Sequence, residues 1–206
     1  MSSTILYDYW RSTASYRVRI ALHLANIPFE KVSVNLLDGD QRSAAHMARN
    51  PQGLVPVLEI DGQRFTQSLA ILEYLDETRE LNLLPQDPVQ RANARALAHS
   101  LAVDVHPVCN LSVVGYATGG NEPARTDWMH HFITPGLAAF EILLEDFEQT
   151  PFATGLHPSL ADLCLIPQIY NADRWGAEYS DCPRIKTVIA ACAAHPAFVA
   201  ARPDSE

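Results

Sequence analysis

The stretch Ile5–Leu24, ILYDYWRSTASYRVRIALHL, decides the fold of the chain. It begins inside Thr4–Trp10, which is rich in β-branched and aromatic residues and is therefore typical of a strand. Ser15–Asn26 contains neither proline nor glycine and is apolar over most of its circumference, which predicts a helix packed against a sheet. The helix should end before Pro28, because the residue before a proline disfavours helical backbone. A strand followed directly by a buried helix indicates an α/β domain.

The segments that follow extend this unit to about residue 80. They are predicted to form a strand, a short weak helix, two strands and an amphipathic helix: Phe29–Leu36, Gln41–Arg49, Val55–Ile60, Gln63–Thr66 and Ser68–Glu80. Asp61 and Gly62 are typical of the type I′ turn of a hairpin, and Ser68 is the expected N-cap of the last helix. The order β-α-β-α-β-β-α predicts a four-stranded mixed sheet with helices on both faces, a thioredoxin-like domain.

The remainder of the chain has the pattern of an all-helical domain. Five helices are expected, and they begin at Pro88, about residue 124, after Pro158, at Pro183 and at Pro196. The first should extend to Gly119 and the second to Gln149. Pro107 and Pro135 lie inside these two helices and are expected to kink them, because each removes one backbone hydrogen bond.

Two further features complete this organisation. Ser159-Leu160-Ala161-Asp162 forms a capping box, in which the serine and aspartate side chains satisfy free amides at the start of the third helix. Residues 81–87 are a short polar segment that is typical of a linker. The expected domains are therefore residues 1–80, which form the α/β domain, and residues 88–206, which form the all-α domain.

The composition limits the classes of function. Asp and Glu number 24 against 15 for Lys and Arg, and the net charge of −9 argues against a non-specific nucleic-acid binder. No apolar run reaches the roughly 20 residues of a membrane span, and Met1–Tyr7 lacks the features of a secretory signal. The four cysteines form no C-x-x-C pair and are expected to be reduced and buried. His130 and His131 diverge on a helix, so no metal is expected. These features favour a cytoplasmic protein that binds neither nucleic acid nor membrane.

Candidate chemistry lies where the first strand turns into the first helix. Ser12, Thr13 and Ser15 offer hydroxyls at a helix N-terminus, where anions are attracted; alternatively, they only cap the helix. Val55-Pro56 is expected to be a cis bond, as in thioredoxin-like folds, which leaves the Val55 backbone able to pair with a peptide. Gln67-Ser68 begins another helix and offers a second anion site. Together these segments predict a site for a short peptide that carries carboxylates.

One long motif and several short ones carry a family resemblance. Residues 11–22, RSTASYRVRIAL, are similar to the signature R-S-S-C-S-W-R-V-R-I-A-L. Further matches follow in the family's order and spacing: Asn50-Pro51, Val55-Pro56, Gln67–Ile71, Glu73–Leu75, Leu84–Pro88, Asn110–Val113 and Ala161–Gln168. Over nearly its whole length the chain resembles zeta-class glutathione transferases, the group that includes the maleylacetoacetate isomerases. The resemblance implies the glutathione transferase architecture, a homodimer, and glutathione as cosubstrate.

The resemblance also implies roles for residues that would hold glutathione. Ser12 corresponds to the hydroxyl that hydrogen-bonds the sulfur, Thr13 replaces a neighbouring serine, and Ser15 is the third catalytic candidate. The residues expected to bind the tripeptide are Gln41, Val55, Gln67, Ser68, His106, Asn110 and Ser112. In the signature a cysteine stands where this chain has Ala14, so the reacting thiolate must be that of glutathione.

Four arginines are candidates for other roles. Arg11 is expected at the mouth of the site, and Arg174 matches a family arginine that would meet a substrate carboxylate, since arginine binds carboxylates bidentately. Alternatively, Arg174 pairs with Asp173 or Asp181 on the surface. Arg17 and Arg19 are expected to tie the first helix to nearby carboxylates. The implied substrate is therefore a small anionic electrophile.

The implied activity is a glutathione-dependent cis–trans isomerisation. Maleylacetoacetate would be converted to fumarylacetoacetate, in aromatic amino-acid catabolism, by thiolate addition to the cis double bond, rotation and elimination. Three alternatives stay open: a glutathione transferase or dehalogenase of small α-halo acids, a maleylpyruvate isomerase, and a non-catalytic glutathione-binding module. Relatives of the maleylpyruvate type tend to carry an arginine near the position of Leu111-Ser112, which this chain lacks.

Overall fold

A computed structural model describes residues 4–203, which divide into two compact units. One unit contains residues 4–81 and 196–203, and the other contains Asn82–His195. Residues 1–3 and 204–206 lie outside the described residues. They are the outer ends of the two predicted domains, and residues 1–3 also belong to Met1–Tyr7, which was predicted to lack a secretory signal. The division of the chain into independent domains at residues 1–80 and 88–206, joined by a linker at 81–87, stays a prediction.

The first unit is built on a four-stranded mixed sheet. Its elements up to residue 81 are β1 (Ile5–Asp8), α1 (Thr13–Leu24), β2 (Glu30–Ser33), a 3-10 turn (Asp40–Arg42), α2 (Ala44–Met47), β3 (Val57–Ile60), β4 (Gln63–Thr66) and α3 (Ser68–Arg79). The strand order is β2-β1-β3-β4, and β1 is parallel to β2 but antiparallel to β3. This topology confirms the predicted thioredoxin-like domain.

The register of the sheet brings three chain segments to one end of it. Tyr7 of β1 lies opposite Val57 of β3, and Val57 lies opposite Thr66 of β4. The end of β1, the beginning of β3 and the end of β4 therefore meet. At the other end of the hairpin, Asp61 and Gly62 have φ values of 54° and 75°, which confirms the predicted type I′ character of the turn.

The core of the first unit joins α1 and α3 to the strands. Its fully buried apolar side chains include Leu6, Val18, Ile20, Ala21, Leu22, Val57, Leu58, Ile71, Leu72 and Leu75. Arg19 of α1 is also buried, and its Nη1 donates to the Asp8 carboxylate of β1 at 2.6 Å. This contact confirms the expectation that Arg19 ties the first helix to a carboxylate.

The second unit is helical. Its elements are α4 (Pro88–His99), a π-helix (Ser100–Val105), a 3-10 turn (Pro107–Cys109), α5 (Leu111–Thr118), α6 (Glu122–Leu143), a 3-10 turn (Leu144–Asp146), α7 (Leu160–Trp175) and α8 (Pro183–Ala194). The capping box at the start of α7 is present, with the Ser159 N–H donating to the Asp162 carboxylate at 2.7 Å. Pro135 lies inside α6 as expected. An isolated β-bridge joins Phe152 to Gly155.

The prediction of a single helix from Pro88 to Gly119 was wrong. The chain instead leaves α4 through the π-helix, where the His106 N–H donates to the Leu101 carbonyl at 2.8 Å, and then enters the 3-10 turn. Pro107 begins that turn and does not kink a longer helix, because its nitrogen has no proton to continue the helical ladder. Asn110 follows with extended backbone and starts α5.

The last helix, α9 (Pro196–Ala200), differs from expectation in its partner. The sequence placed it with the helical half of the chain, whereas it packs on α1 and belongs to the first unit. Arg19 Nε donates to the Ala201 carbonyl at 3.1 Å, and Phe198 is 1% exposed. The contact forms because α1 leaves apolar surface and a buried guanidinium that α9 covers and satisfies.

No single helix in residues 4–203 is long and apolar enough to cross a membrane. Pro88–Cys109 and Leu111–Thr118, which are bent by 49° relative to each other, reach the required length and composition only when they are taken together.

Candidate active site

The N-terminus of α1 is organised by Ser12. This residue is the N-cap, with extended backbone, and its Oγ accepts from the Ser15 N–H at 3.1 Å. Its backbone N–H in turn donates to the Tyr9 carbonyl at 2.8 Å. The prediction that these hydroxyls cap the helix is therefore correct for Ser12. Because the cap uses only a lone pair of the oxygen, the hydroxyl proton of this half-buried residue can still be donated.

The other two hydroxyls of this turn lie deeper. Thr13 is 6% exposed and Ser15 is not exposed at all. Within residues 4–203, the Ser15 Oγ has no hydrogen-bond partner. Ala14, which stands in the position of the signature cysteine, is 8% exposed. Ser12 is thus the most accessible hydroxyl at the N-terminus of α1.

The loop before β3 presents the backbone of Val55. The Val55-Pro56 bond is cis, as predicted. The preceding carbonyl, that of Leu54, accepts from His46 Nε2 at 3.0 Å and from Asn50 Nδ2 at 2.9 Å. In the described part of the chain, no hydrogen bond engages the N–H or C=O of Val55. This backbone can therefore pair with an extended peptide.

His46 is a supporting residue that the sequence reasoning missed. It is 2% exposed and lies in α2, and its own N–H is capped by Ser43 Oγ at 3.2 Å. A lone histidine in a weak helix gives no sign of its target, since the Leu54 carbonyl reaches it only in the folded loop. Asn50 appeared in a matched motif, but its contact was not foreseen.

The start of α3 differs from the prediction. Ser68 is the first residue of the helix and not its N-cap, which is Gln67. Gln67 has φ 67°, a conformation that side chains rarely adopt and that often accompanies a functional site. Its exposed side chain donates from Nε2 to Gln52 Oε1 at 2.8 Å, which leaves the Gln67 Oε1 as an acceptor. Ser68 is 6% exposed, and its Oγ accepts from Arg17 Nη1 at 3.1 Å.

Gln41 lies in the 3-10 turn before α2. Its Nε2 donates to the Leu36 carbonyl at 3.4 Å, and its Oε1 has no protein partner within the described residues. Gly53 packs against this turn with φ +63°, and a Cβ there would lie 3.1 Å from the Gln41 carbonyl. A glycine is therefore required for the loop to approach the turn.

Four of the candidates in the first unit lie at one end of its sheet. Ser12 follows β1, Val55 precedes β3, and Gln67 and Ser68 follow β4, and the strand register brings these three positions together. Arg11 is exposed, with its guanidinium 4.2 Å from the centroid of the Trp10 ring.

The candidates in the second unit fall into two groups. His106, Asn110 and Ser112 lie in or beside the turn between the π-helix and α5, and Trp128 of α6 anchors this turn by donating to the Val108 carbonyl at 2.9 Å. Arg174 is exposed in the last turn of α7, with its guanidinium 5.8 Å from the Trp175 ring centroid.

The protein's own thiols and metal-binding side chains do not form a second reactive centre in residues 4–203. All four cysteines are buried, and none of them forms a disulfide. Burial raises the pKa of Cys109, the cysteine nearest to Asn110, to about 12. No cluster of three or more histidine, cysteine or acidic side chains in this part of the chain could hold a metal ion.

Comparison with known proteins places this arrangement in a family. Residues 2–77 match the model of the glutathione S-transferase N-terminal domain. The chain is 52% identical to a maleylacetoacetate isomerase of Rhizobium meliloti over 98% of this chain and 97% of that one.

Solved structures give the same answer. A holo structure of a maleyl pyruvate isomerase, described as a bacterial zeta-class glutathione S-transferase, superposes with a TM-score of 0.93 at 37% identity and covers 98% of both chains. A maleylacetoacetate isomerase of Anaeromyxobacter dehalogenans, with dicarboxyethyl glutathione and citrate in its active site, has a TM-score of 0.86 at 40% identity and covers 100% and 98% of the two chains. The chain therefore belongs to the zeta-class glutathione transferases, the family of the maleylacetoacetate isomerases.

Proposed function

We propose that the protein is a glutathione-dependent cis–trans isomerase that converts maleylacetoacetate to fumarylacetoacetate. The observation that carries the proposal is the meeting of Ser12, the unpaired Val55 backbone and the Gln67-Ser68 helix start at one end of the first unit's sheet. This set of donors and acceptors is the set that a peptide thiol with carboxylates requires. The name of the Rhizobium meliloti relative supports the choice of maleylacetoacetate.

The residues fit glutathione by hydrogen-bond polarity. The hydroxyl of Ser68 can donate to the γ-glutamyl α-carboxylate, and the Oε1 of Gln67 can accept from the neighbouring ammonium group. The backbone of Val55 offers one donor and one acceptor to the cysteinyl residue, as a strand would. Gln41 offers its Oε1 as a further polar contact.

Ser12 is proposed to hold the sulfur as an anion. Bound glutathione supplies a sulfur nucleophile that can add to a cis double bond and leave after rotation about the resulting single bond. A free thiol has a pKa near 8.5, and a hydroxyl donor at a helix N-terminus lowers it. The Ser12 hydroxyl is such a donor because its oxygen, and not its proton, caps α1. Thr13 and Ser15 are secondary candidates for this role.

The substrate is proposed to be a small anion. Arg11 and Arg174 are both exposed and can bind a carboxylate. His106, Asn110 and Ser112 are proposed to complete the binding of glutathione. The citrate and the dicarboxyethyl group bound to the Anaeromyxobacter dehalogenans relative support an anionic ligand.

The direct test is a glutathione-dependent assay on purified protein. Isomerisation of maleylacetoacetate should require glutathione, and kcat/KM should exceed that for small α-halo acids. Binding of glutathione without turnover of any of these substrates would instead indicate a non-catalytic module. Turnover of halo acids alone would indicate a dehalogenase.

Maleylpyruvate isomerisation is the second candidate. It is favoured by the TM-score of 0.93 to the maleyl pyruvate isomerase structure. In this chain, however, Leu111 and Ser112 occupy the exposed first turn of α5, where an arginine would be expected for that substrate. Parallel measurement of kcat/KM for the two maleyl compounds separates the candidates.

We further propose that the protein is a cytoplasmic homodimer that acts in aromatic amino-acid catabolism. The resemblance to the family supports these statements. Sedimentation equilibrium should give twice the monomer mass of 22.8 kDa. A monomeric mass at micromolar concentration would contradict the dimer.

A further inference from the structure

A buried arginine lies directly behind the start of α3. Arg17 Nη1 donates to Ser68 Oγ at 3.1 Å, although the two residues are 51 positions apart in the chain. Arg17 is 2% exposed and Ser68 is 6% exposed. The contact is therefore built into the interior of the first unit and joins α1, which carries Ser12, to the helix start that carries Gln67.

The chemistry of this pair sets the direction of its hydrogen bond. A guanidinium carries only donors, so the Ser68 oxygen must accept. The hydroxyl proton of Ser68 is then available only to an acceptor on its other side. The amides at the start of α3 and the positive charge of Arg17 favour an anion at the same place. A carboxylate satisfies all three demands, whereas a carboxamide or an ammonium group does not.

We propose that Arg17 is a positioning residue that fixes Ser68 as a hydrogen-bond donor and thereby selects a ligand carboxylate at the start of α3. The inference rests on the proposed function for the identity of the ligand, since the γ-glutamyl α-carboxylate of glutathione is the group that Ser68 would meet. Arg17 acts through Ser68, so its effect falls on glutathione binding and its selectivity, and not on the step at the sulfur.

The test compares two ligands by titration calorimetry on the full-length protein. One is glutathione, and the other is its analogue with the γ-glutamyl α-carboxylate converted to a carboxamide. The wild-type protein should bind glutathione about tenfold or more tightly than the analogue. Arg17→Met should weaken glutathione binding by about tenfold, while the analogue loses less, so that the ratio of the two Kd values falls. Arg17→Lys, which keeps a donor and a charge, should recover part of the ratio.

Kinetics and a double mutant separate positioning from a structural effect. Arg17→Met should raise the KM for glutathione and leave kcat at saturating glutathione nearly unchanged. In a Ser68→Ala background the same substitution should weaken glutathione binding less than it does in the wild type, because the hydroxyl that Arg17 orients is gone and only the effect of its charge is left. If Arg17→Met does not fold, Arg17→Gln replaces it, with the same fall in the ratio expected.

Arg19→Met is the matched control. Arg19 is a buried arginine of the same helix, but it bonds Asp8 and backbone carbonyls and not Ser68. Its loss should lower the Tm and leave the ratio of the two Kd values as in the wild type. A folded Arg17 variant with the wild-type ratio would overturn the inference alone. Wild-type protein that binds no glutathione would overturn the proposed function as well.

Discussion

At the scale of single residues, Ser12 shows that a serine can cap a helix and keep its hydroxyl proton available for a ligand. Its oxygen accepts from the Ser15 N–H through one lone pair. The same logic applies at Ser68, whose oxygen accepts from Arg17. In both cases an internal donor occupies one lone pair of the oxygen, and the hydroxyl proton stays available for a ligand.

Ser12→Ala should lower kcat/KM for the anionic substrate by about 100-fold or more, since the loss of one donor to a forming or stable anion costs roughly 2–4 kcal/mol. It should also lower stability by about 0.5–2 kcal/mol, because a helix cap is lost. Asn121→Ala is the matched control, since Asn121 caps α6 by accepting the Ala124 N–H at 3.0 Å. That variant should lose stability and keep its activity. Wild-type kcat/KM in Ser12→Ala would contradict the assigned role.

Arg174→Leu should lower kcat/KM for an anionic electrophile by about 10- to 100-fold, because a charge-assisted hydrogen bond is worth about 1.5–3 kcal/mol. The KM for glutathione should change little, since Gln67 and Ser68, which are proposed to hold the γ-glutamyl end of glutathione, lie in the first unit. A neutral enone serves as the internal control and should lose little. Equal losses for the two electrophiles would show that Arg174 supports the fold and does not bind the carboxylate.

At the scale of elements, α6 and the π-helix touch through a glycine. A Cβ on Gly136 would lie 2.4 Å from Val105 Cγ2, closer than two such atoms can approach. The π-helix places Val105 there and leads directly into the turn that carries His106 and Asn110. The packing of these two helices therefore supports the turn that carries these two candidate glutathione-binding residues.

Gly136→Ala should destabilise the protein by about 1–3 kcal/mol, as overpacking does in a filled core. Adding Val105→Ala should restore part of the loss, because it removes the methyl group that the new Cβ meets. Gly115→Ala is the matched control: this glycine lies in α5 with no atom within 4 Å of the added Cβ, so the variant should be neutral or up to about 1 kcal/mol more stable. Urea denaturation is applied to the wild type, to Gly136→Ala and Val105→Ala singly and combined, and to Gly115→Ala. Additive losses from Gly136→Ala and Val105→Ala would rule out the contact.

The start of α7 depends on a carboxyl that burial strongly affects. Burial raises the pKa of Asp162 to about 6, although hydrogen bonds from Ser159 and from the Ala153 N–H act in the opposite direction. The native state thus holds this proton more tightly than the unfolded chain does. The stability from this group is full below about pH 4 and is lost as the pH rises through about 6, a change of roughly 3 kcal/mol.

Asp162→Asn should remove this pH dependence. The free energy of unfolding of the wild type minus that of the variant should fall between pH 4 and pH 6.5 and then stay level, as measured by urea denaturation at each pH. Because a cap contact is also lost, the variant should be less stable than the wild type by about 0.5–2 kcal/mol at pH 4. The roughly 3 kcal/mol that the wild type loses as the pH rises should cancel or reverse this difference above pH 6.5. Asp87→Asn, at the exposed N-cap of α4, controls for the loss of a capping carboxylate. A difference that is constant with pH would contradict the assignment.

Features encoded by neighbouring residues could be predicted from the sequence, and features that depend on distant contacts could not. The Asp61-Gly62 turn and the Ser159–Asp162 capping box are local, and both are present. The π-helix could not be foreseen, because it depends on packing of the Val105 region against Gly136. Ser68 was expected as the N-cap, but the chain enters α3 through the unusual backbone of Gln67, which no residue preference indicates.

The candidate site shows the same division. Ser12, Val55 and the Gln67-Ser68 pair could be chosen because each follows or precedes a strand or helix that the pattern predicts. The groups that orient them could not, since Arg17 reaches Ser68 across 51 positions and His46 reaches Leu54 only after the loop has folded. The roles of all these residues stay predictions until the variants are measured.

At the scale of the whole molecule, we expect the reacting thiolate to come from glutathione and not from a cysteine of the protein. All four cysteines are buried, and burial raises the pKa of Cys109, Cys182 and Cys192. For Cys182 the carboxylates of Glu141 and Asp181 add to this effect. A buried thiol with a raised pKa is a poor nucleophile at neutral pH.

The native protein should therefore react very slowly with a thiol reagent at pH 7.5 and keep its activity during the treatment. All four thiols should react once the protein is denatured. Ala14→Cys provides the positive control, because it places a thiol at the N-terminus of α1, where the helix lowers a thiol pKa. Loss of wild-type activity on modification of one native cysteine would show that a protein thiol takes part.

The packing of α9 on α1 has a consequence for synthesis. The unit that carries Ser12 and Arg17 is made of residues from both ends of the described chain, with residues 82–195 between them. A ribosome makes the sheet and α1 early, yet the Ala201 carbonyl that satisfies Arg19 emerges more than 100 residues later. During that interval the nascent sheet domain lacks α9, so it completes its native structure only after residues 196–201 have been made.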